Sequence, residues 1–215
     1  MSLVAHRPAQ PHERVLVALD VANLDQALTL VETLRDQVGG FKVGMELCYA
    51  EGTTRVVEAV AAAGGRVFLD LKLHDIPNTV ESALRGLLER VGQHVMLLTL
   101  HTSGGAAMLR AASSAVAGSQ LPLGLLGVTL LTSIDSSALR EELHVPLPAL
   151  DYVVSMARLA QQSGLAGVVA SPLEASEIRA ACGPELLIVT PGVRPHWASA
   201  GDQRRVLSPS DDYHP

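Results

Sequence analysis

Residues 67–80 read VFLDLKLHDIPNTV, an apolar run that ends with two carboxylates and an ammonium within six positions, Asp70, Lys72 and Asp75. Side chains alternate along a strand, so Asp70 and Lys72 are expected on one face and Leu69, Leu71 and Leu73 on the other. Pro77, with Thr79 close behind, has the chemistry of a first helical turn. The charges are therefore expected at the carboxyl end of a strand, where a helix takes over.

The same beat runs outward in both directions. VLVALD (15–20) precedes LDQALTLVETLRDQ, FKVG (41–44) precedes TRVVEAVAAAG, and VFLDLK (67–72) precedes IPNTVESALRGLLER. VMLLTLH (95–101) precedes GGAAMLRAASSAVAG, and LGLLGVTLL (123–131) precedes a segment containing LDYVVSMARLAQQSG. GVVAS (167–171) precedes PLEASEIRAAC, and LLIVTPG (186–192) closes the series. Strands that are nearly continuous apolar runs, each followed by a helix, predict a parallel sheet covered by helices.

A closed (β/α)₈ barrel and an open doubly wound sheet share that pattern, and the polar residues tip the choice. Asp20 ends the first run, Lys42 lies in the second, Asp70 and Lys72 in the third, and His101 ends the fourth. Thr129 to Ser133 closes the fifth, and Ser171 and Arg194 continue the series. In a barrel these positions converge on one mouth, where active sites of that fold lie. An open sheet would spread them along an edge. The expected fold class is α/β, a (β/α)₈ TIM barrel.

At 215 residues the chain suits one such barrel. Hydrophobic residues make up 48% and charged residues 18%, which excludes disorder for most of the chain, and only 3% aromatics make the core aliphatic. A formal net charge of −6 argues against nucleic acid as a partner. Cys48 and Cys182 form no CxxC pair, so a cytoplasmic protein with free thiols is expected, a distant disulfide remaining open. No run approaches the roughly 18 apolar residues of a membrane span, and MSLVAHRPAQPHE reads as a tail without a secretory signal. P-loop, GxGxxG, HExxH and paired CxxC motifs are all absent.

Taken singly, the charged residues have bland readings. Asp75 reads equally as a helix cap, Lys42 as a surface lysine, Asp20 as a turn residue and Arg194 as a solvated loop arginine. Jointly those readings weaken, because unpaired buried ions cost several kcal/mol each and the charges must compensate one another. A lysine held between carboxylates keeps its proton, which suits donation to carbon and opposes Schiff-base chemistry. The same ammonium would stabilise a developing carbanion.

With DLKLHDIPNT in place, the sequence resembles the orotidine 5′-monophosphate decarboxylases of bacterial type, enzymes that make UMP in pyrimidine synthesis. The resemblance also rests on VALD at Asp20, FKVGMEL at Lys42, HTSGG at His101, VTLLTS at Thr132, VTPGVRP at Arg194 and GDQRRV at Gln203. It implies a cytoplasmic homodimer of (β/α)₈ barrels, without metal or organic cofactor. Lys72 would protonate C6 after carbon dioxide leaves, with Asp70 beside the departing carboxylate and Asp75 supplied by the other subunit. Lys42, Asp70, Lys72 and Asp75 would be the catalytic residues. Asp20 and Lys42 would hold the ribose, Ile76, Thr79 and Thr132 would line the nucleotide, and Arg194 with Gln203 would face the phosphate.

After GDQRRVLSP such sequences run through one more helix into an eighth strand with a Gly-Arg phosphate grip, whereas this one ends SDDYHP. The eighth strand is therefore expected to be missing. The expected boundaries are a tail at 1–13, a catalytic barrel at 14–206 and a divergent or truncated tail at 207–215. Two rival readings follow: a magnesium-dependent phosphosugar decarboxylase of the same suprafamily, and a noncatalytic dimeric barrel.

Overall fold

A computed structural model describes Pro8 and residues 10–193. The apolar runs become seven strands: β1 (Leu16–Ala18), β2 (Gly40–Gly44), β3 (Val67–Leu73), β4 (Val95–His101), β5 (Gly124–Val128), β6 (Gly167–Val169) and β7 (Leu187–Val189). Between them lie α1 (Leu24–Leu34), α2 (Met45–Glu51), α3 (Thr53–Ala62), α4 (Pro77–Val91), α5 (Gly105–Ser119), α6 (Ser136–Glu141), α7 (Ala149–Gln162) and α8 (Ala175–Cys182). Every pairing is parallel and the spatial order is β1-β2-β3-β4-β5-β6-β7.

That order separates the two candidate architectures. A doubly wound sheet reverses direction at a switch point, whereas here each βα unit sets its next strand beside the last without reversal, as a barrel requires. Among the described residues, β1 and β7 are each paired on one side only. The expected missing eighth strand and the 207–215 tail concern residues outside those described.

Alternation divides each strand between two environments. Phe41, Val43, Leu69, Leu98 and Leu100 are almost fully buried in the core cluster, together with Ala27 and Val31 of α1, Val56 and Val60 of α3, and Leu84 of α4. Burying each leucine contributes about 1.5–3 kcal/mol. The opposite face carries Lys42, Asp70 and Thr99, which the packed face cannot accommodate.

Three features depart from the sequence reading. Two short helices were not expected: α2, which ends at Gly52 with φ of 85°, and α6, whose N-cap Asp135 accepts bonds from the N–H groups of Ser137 and Ala138. Neither is long enough to display a helical period. The third concerns β3 itself. Its register with β4 runs Leu69↔Leu98 and then Leu73↔Leu100, four steps against two, and Lys72 adopts φ of 49°. The strict alternation expected from Leu69 to Leu73 is therefore broken by a bulge. Leu69 is fully buried while Leu71 and Leu73 are only half-buried.

Candidate active site

The carboxyl ends of the first three strands assemble a row of alternating charges. Asp20, just past β1, accepts a hydrogen bond from Lys42 of β2 at 3.0 Å. Lys42 Nζ lies 3.9 Å from Asp70 Oδ2 of β3, and the same oxygen accepts a bond from Lys72 Nζ at 2.7 Å. Asp70 is 8% exposed. A carboxylate that deep needs compensation, and it has an ammonium on either side. The pairing of Gly44 with Asp70 across β2 and β3 leaves room, because no side chain at position 44 fills the space toward Lys42 Nζ.

Lys72 reaches Asp70 by a different route from the one expected. The bulge and the left-handed backbone at Lys72, an uncommon conformation for a residue with a Cβ, turn its side chain back onto the carboxylate. Thr99 of β4 completes the arrangement. Its Oγ1 donates to Asp70 Oδ1 at 2.8 Å and accepts from the Lys72 backbone N–H at 2.9 Å, and the residue is fully buried. Sequence reasoning missed Thr99. The only signal was one hydroxyl in the apolar run VMLLTLH, and its partner depends on a strand register that sequence does not display.

His101 ends β4 beside this row, its ring 5.2 Å from that of His74. Burial lowers its pKa below the ordinary 6.5, and the nearby His74 and Lys72 lower it further, against an opposing pull from Asp70. The imidazole is therefore neutral at pH 7. Burial likewise raises the thiol pKa of Cys48, which like Cys182 is a buried free cysteine.

The remaining expected residues are placed as follows. Asp75 is exposed, and its Oδ1 accepts the Ile76 N–H at 2.7 Å. Among the described residues no ion pair joins Asp75 to a lysine. The N-cap of α4 is Ile76, 65% exposed, and Thr79 is exposed in the first turn. Thr132 is half-buried in the turn that follows β5, at the same end of the sheet. Arg194 and Gln203 lie outside the described residues. Among those described, no group of three or more His, Cys, Asp or Glu is placed to hold a metal, and no helix is long and apolar enough to cross a membrane.

Comparison with known proteins gives one answer at three levels. Residues 13–213 match the model of the family described as orotidine 5′-phosphate decarboxylase / HUMPS. The chain is 46% identical to the orotidine 5′-phosphate decarboxylase of Paramagnetospirillum magneticum, with 92% of this chain and 84% of the relative covered. It is 48% identical to the enzyme of that name from Synechocystis, with the same coverage. The crystal structure of orotidine 5′-phosphate decarboxylase from Lactobacillus acidophilus superposes with a TM-score of 0.76 at 39% identity, covering 84% of this chain and 81% of that one.

Proposed function

The chain belongs to the orotidine 5′-phosphate decarboxylase / HUMPS family, and from that premise we propose that it converts orotidine 5′-monophosphate to UMP, with Lys72 as proton donor. The bond from C6 to the carboxyl carbon breaks and its electron pair stays at C6. Carbon dioxide departs, an N–H bond of Lys72 breaks as C6–H forms, and solvent returns a proton to Lys72. Every atom and charge is balanced without a redox partner.

The observation that carries this reading is the alternation of Asp20, Lys42, Asp70 and Lys72, with separations of 3.0, 3.9 and 2.7 Å. It fixes an ammonium beside an anion where negative charge must develop, an electrostatic arrangement needing no reorganisation during the reaction. Asp70 next to the substrate carboxylate also disfavours the ground state. Each tenfold gain in rate requires about 1.4 kcal/mol, so binding energy from the ribose and phosphate must be added to these effects. Asp20 and Lys42 serve the ribose in this reading, Ile76, Thr79 and Thr132 the nucleotide, and Arg194 and Gln203 the phosphate.

The finer reading is a cytoplasmic homodimer whose barrels span residues 14–206, each lending Asp75 to the other's site. Two features support sharing. Among the described residues Asp75 makes no ion pair with a lysine of its own chain, and large apolar side chains are exposed on its sequence neighbour Ile76 and on α2, where Met45 is 42% and Tyr49 84% exposed. Buried free thiols at Cys48 and Cys182 suit a reducing compartment.

The test is loss of orotidine 5′-monophosphate followed by ultraviolet absorbance, for the wild type and for Lys72→Ala. Turnover that survives EDTA and vanishes in the variant is the expected result. Undiminished turnover in Lys72→Ala sinks the proposed donor. EDTA-sensitive turnover of a phosphosugar instead favours the magnesium-dependent reading.

A further inference from the structure

Thr99 belongs to none of the charged groups assigned above, yet its single hydroxyl touches both members of the central pair. We infer that Thr99 is a positioning residue that sets the Asp70–Lys72 geometry from the neighbouring strand; this inference rests on the decarboxylase reading. A hydroxyl carries one proton and two lone pairs. Here the proton goes to Asp70 Oδ1 at 2.8 Å, and a lone pair receives the Lys72 backbone N–H at 2.9 Å.

Each contact fixes one degree of freedom. The bond to Oδ1 stops rotation of the Asp70 carboxylate, leaving Oδ2 to meet Lys72 Nζ at 2.7 Å and Lys42 Nζ at 3.9 Å. The bond from the Lys72 amide supplies an acceptor where the β3–β4 register shifts between Leu69 and Leu73. It also holds Lys72 at φ of 49°, a conformation that persists only where the surroundings dictate it. Thr99 can do this because it is rigid itself. It is fully buried, β-branched and paired with Leu126 of β5. Loss of the hydroxyl frees the carboxylate and the Lys72 backbone together, while the side chains assigned to the ribose and the phosphate are themselves unaltered.

The test compares wild type with Thr99→Val, which keeps the shape, and Thr99→Ser, which keeps the hydroxyl. The expected result is a kcat about 10–100-fold lower in Thr99→Val with KM within about threefold, and recovery to within about threefold of wild type in Thr99→Ser. A purely structural role would not split kcat from KM or be rescued by serine. Wild-type kcat in Thr99→Val, or equal damage in the two variants, overturns the inference. If valine prevents folding, Thr99→Ala replaces it, since alanine and serine differ by the hydroxyl alone. Crystal structures form a second arm: Lys72 leaving the left-handed region or separating from Asp70 in the hydroxyl-less variant supports positioning, and unchanged geometry refutes it. That arm reads independently of turnover, so an inactive wild type would count against the decarboxylase reading without deciding the role of Thr99.

Discussion

At the scale of single residues, His101 turns the electrostatics of the barrel mouth into a pH dependence. Burial, His74 and Lys72 all hold its pKa below 6.5, and only Asp70 opposes them. As pH falls through 6.5 the unfolded chain takes up a proton that the folded chain refuses, so stability is complete above that pH and declines below it, levelling off beneath the folded pKa. Replacing His101 by Gln removes this contribution. Urea midpoints measured at about pH 5 and about pH 7.5 should therefore lie closer together in the variant than in the wild type; an unchanged gap assigns the acid sensitivity to other groups. The charged residues of this site were legible individually because ions in apolar runs demand an explanation. Their geometry was not. Asp70 and Lys72 meet through a bulge and a left-handed backbone, which depend on β4, and Thr99 is a commonplace strand residue until its register is known.

At the scale of elements, the strand-helix alternation was readable wherever an apolar run was long enough to stand out. β4 spans residues 95–101, the bounds of VMLLTLH, whereas β1 and β7 shrink to three residues each within longer runs. The short α2 and α6 depend on glycine termini and on the Asp135 cap, local chemistry that carries no periodic signal. Close packing between strand and helix layers was equally invisible, and Gly127 of β5 shows why it matters. A Cβ there would lie 2.5 Å from Thr102 Oγ1, 3.1 Å from Leu165 Cδ2 and 3.2 Å from Ala160 Cβ on α7. Thr102 Oγ1 is itself buried without a hydrogen-bond partner among the described residues, and the neighbouring core leaves it little space to retreat. Gly127→Ala should therefore overpack this layer and cost about 1–3 kcal/mol in urea unfolding. Because the contacts lie on the helix-facing side, kcat per folded molecule should stay near wild type. A variant as stable as wild type would mean that the layers part more easily than these distances imply.

At the scale of the whole molecule, the strand order gathers the row of charges at one end of the sheet, and the proposed sharing of Asp75 between subunits can be tested there. Asp75 sits five residues past Asp70 in sequence, yet its carboxylate bonds to the amide of the exposed Ile76. Sequence alone left Asp75 divided between helix cap and catalytic group, since both roles place an acid at the start of a helix. The proposed shared site would give it the second role, reciprocally in a twofold dimer. The consequence is genetic complementation within a dimer. Lys72→Ala and Asp75→Ala homodimers should each be nearly inactive, because every site lacks one group. In a mixed dimer both lesions fall in one site and the other is intact. Random reassortment of equal amounts gives mixed dimers half the time, each with one working site of two, so activity should recover to about a quarter of wild type. Mixtures that stay as inactive as the separate variants, despite subunit exchange verified by mass spectrometry, would show that Asp75 serves its own chain or neither.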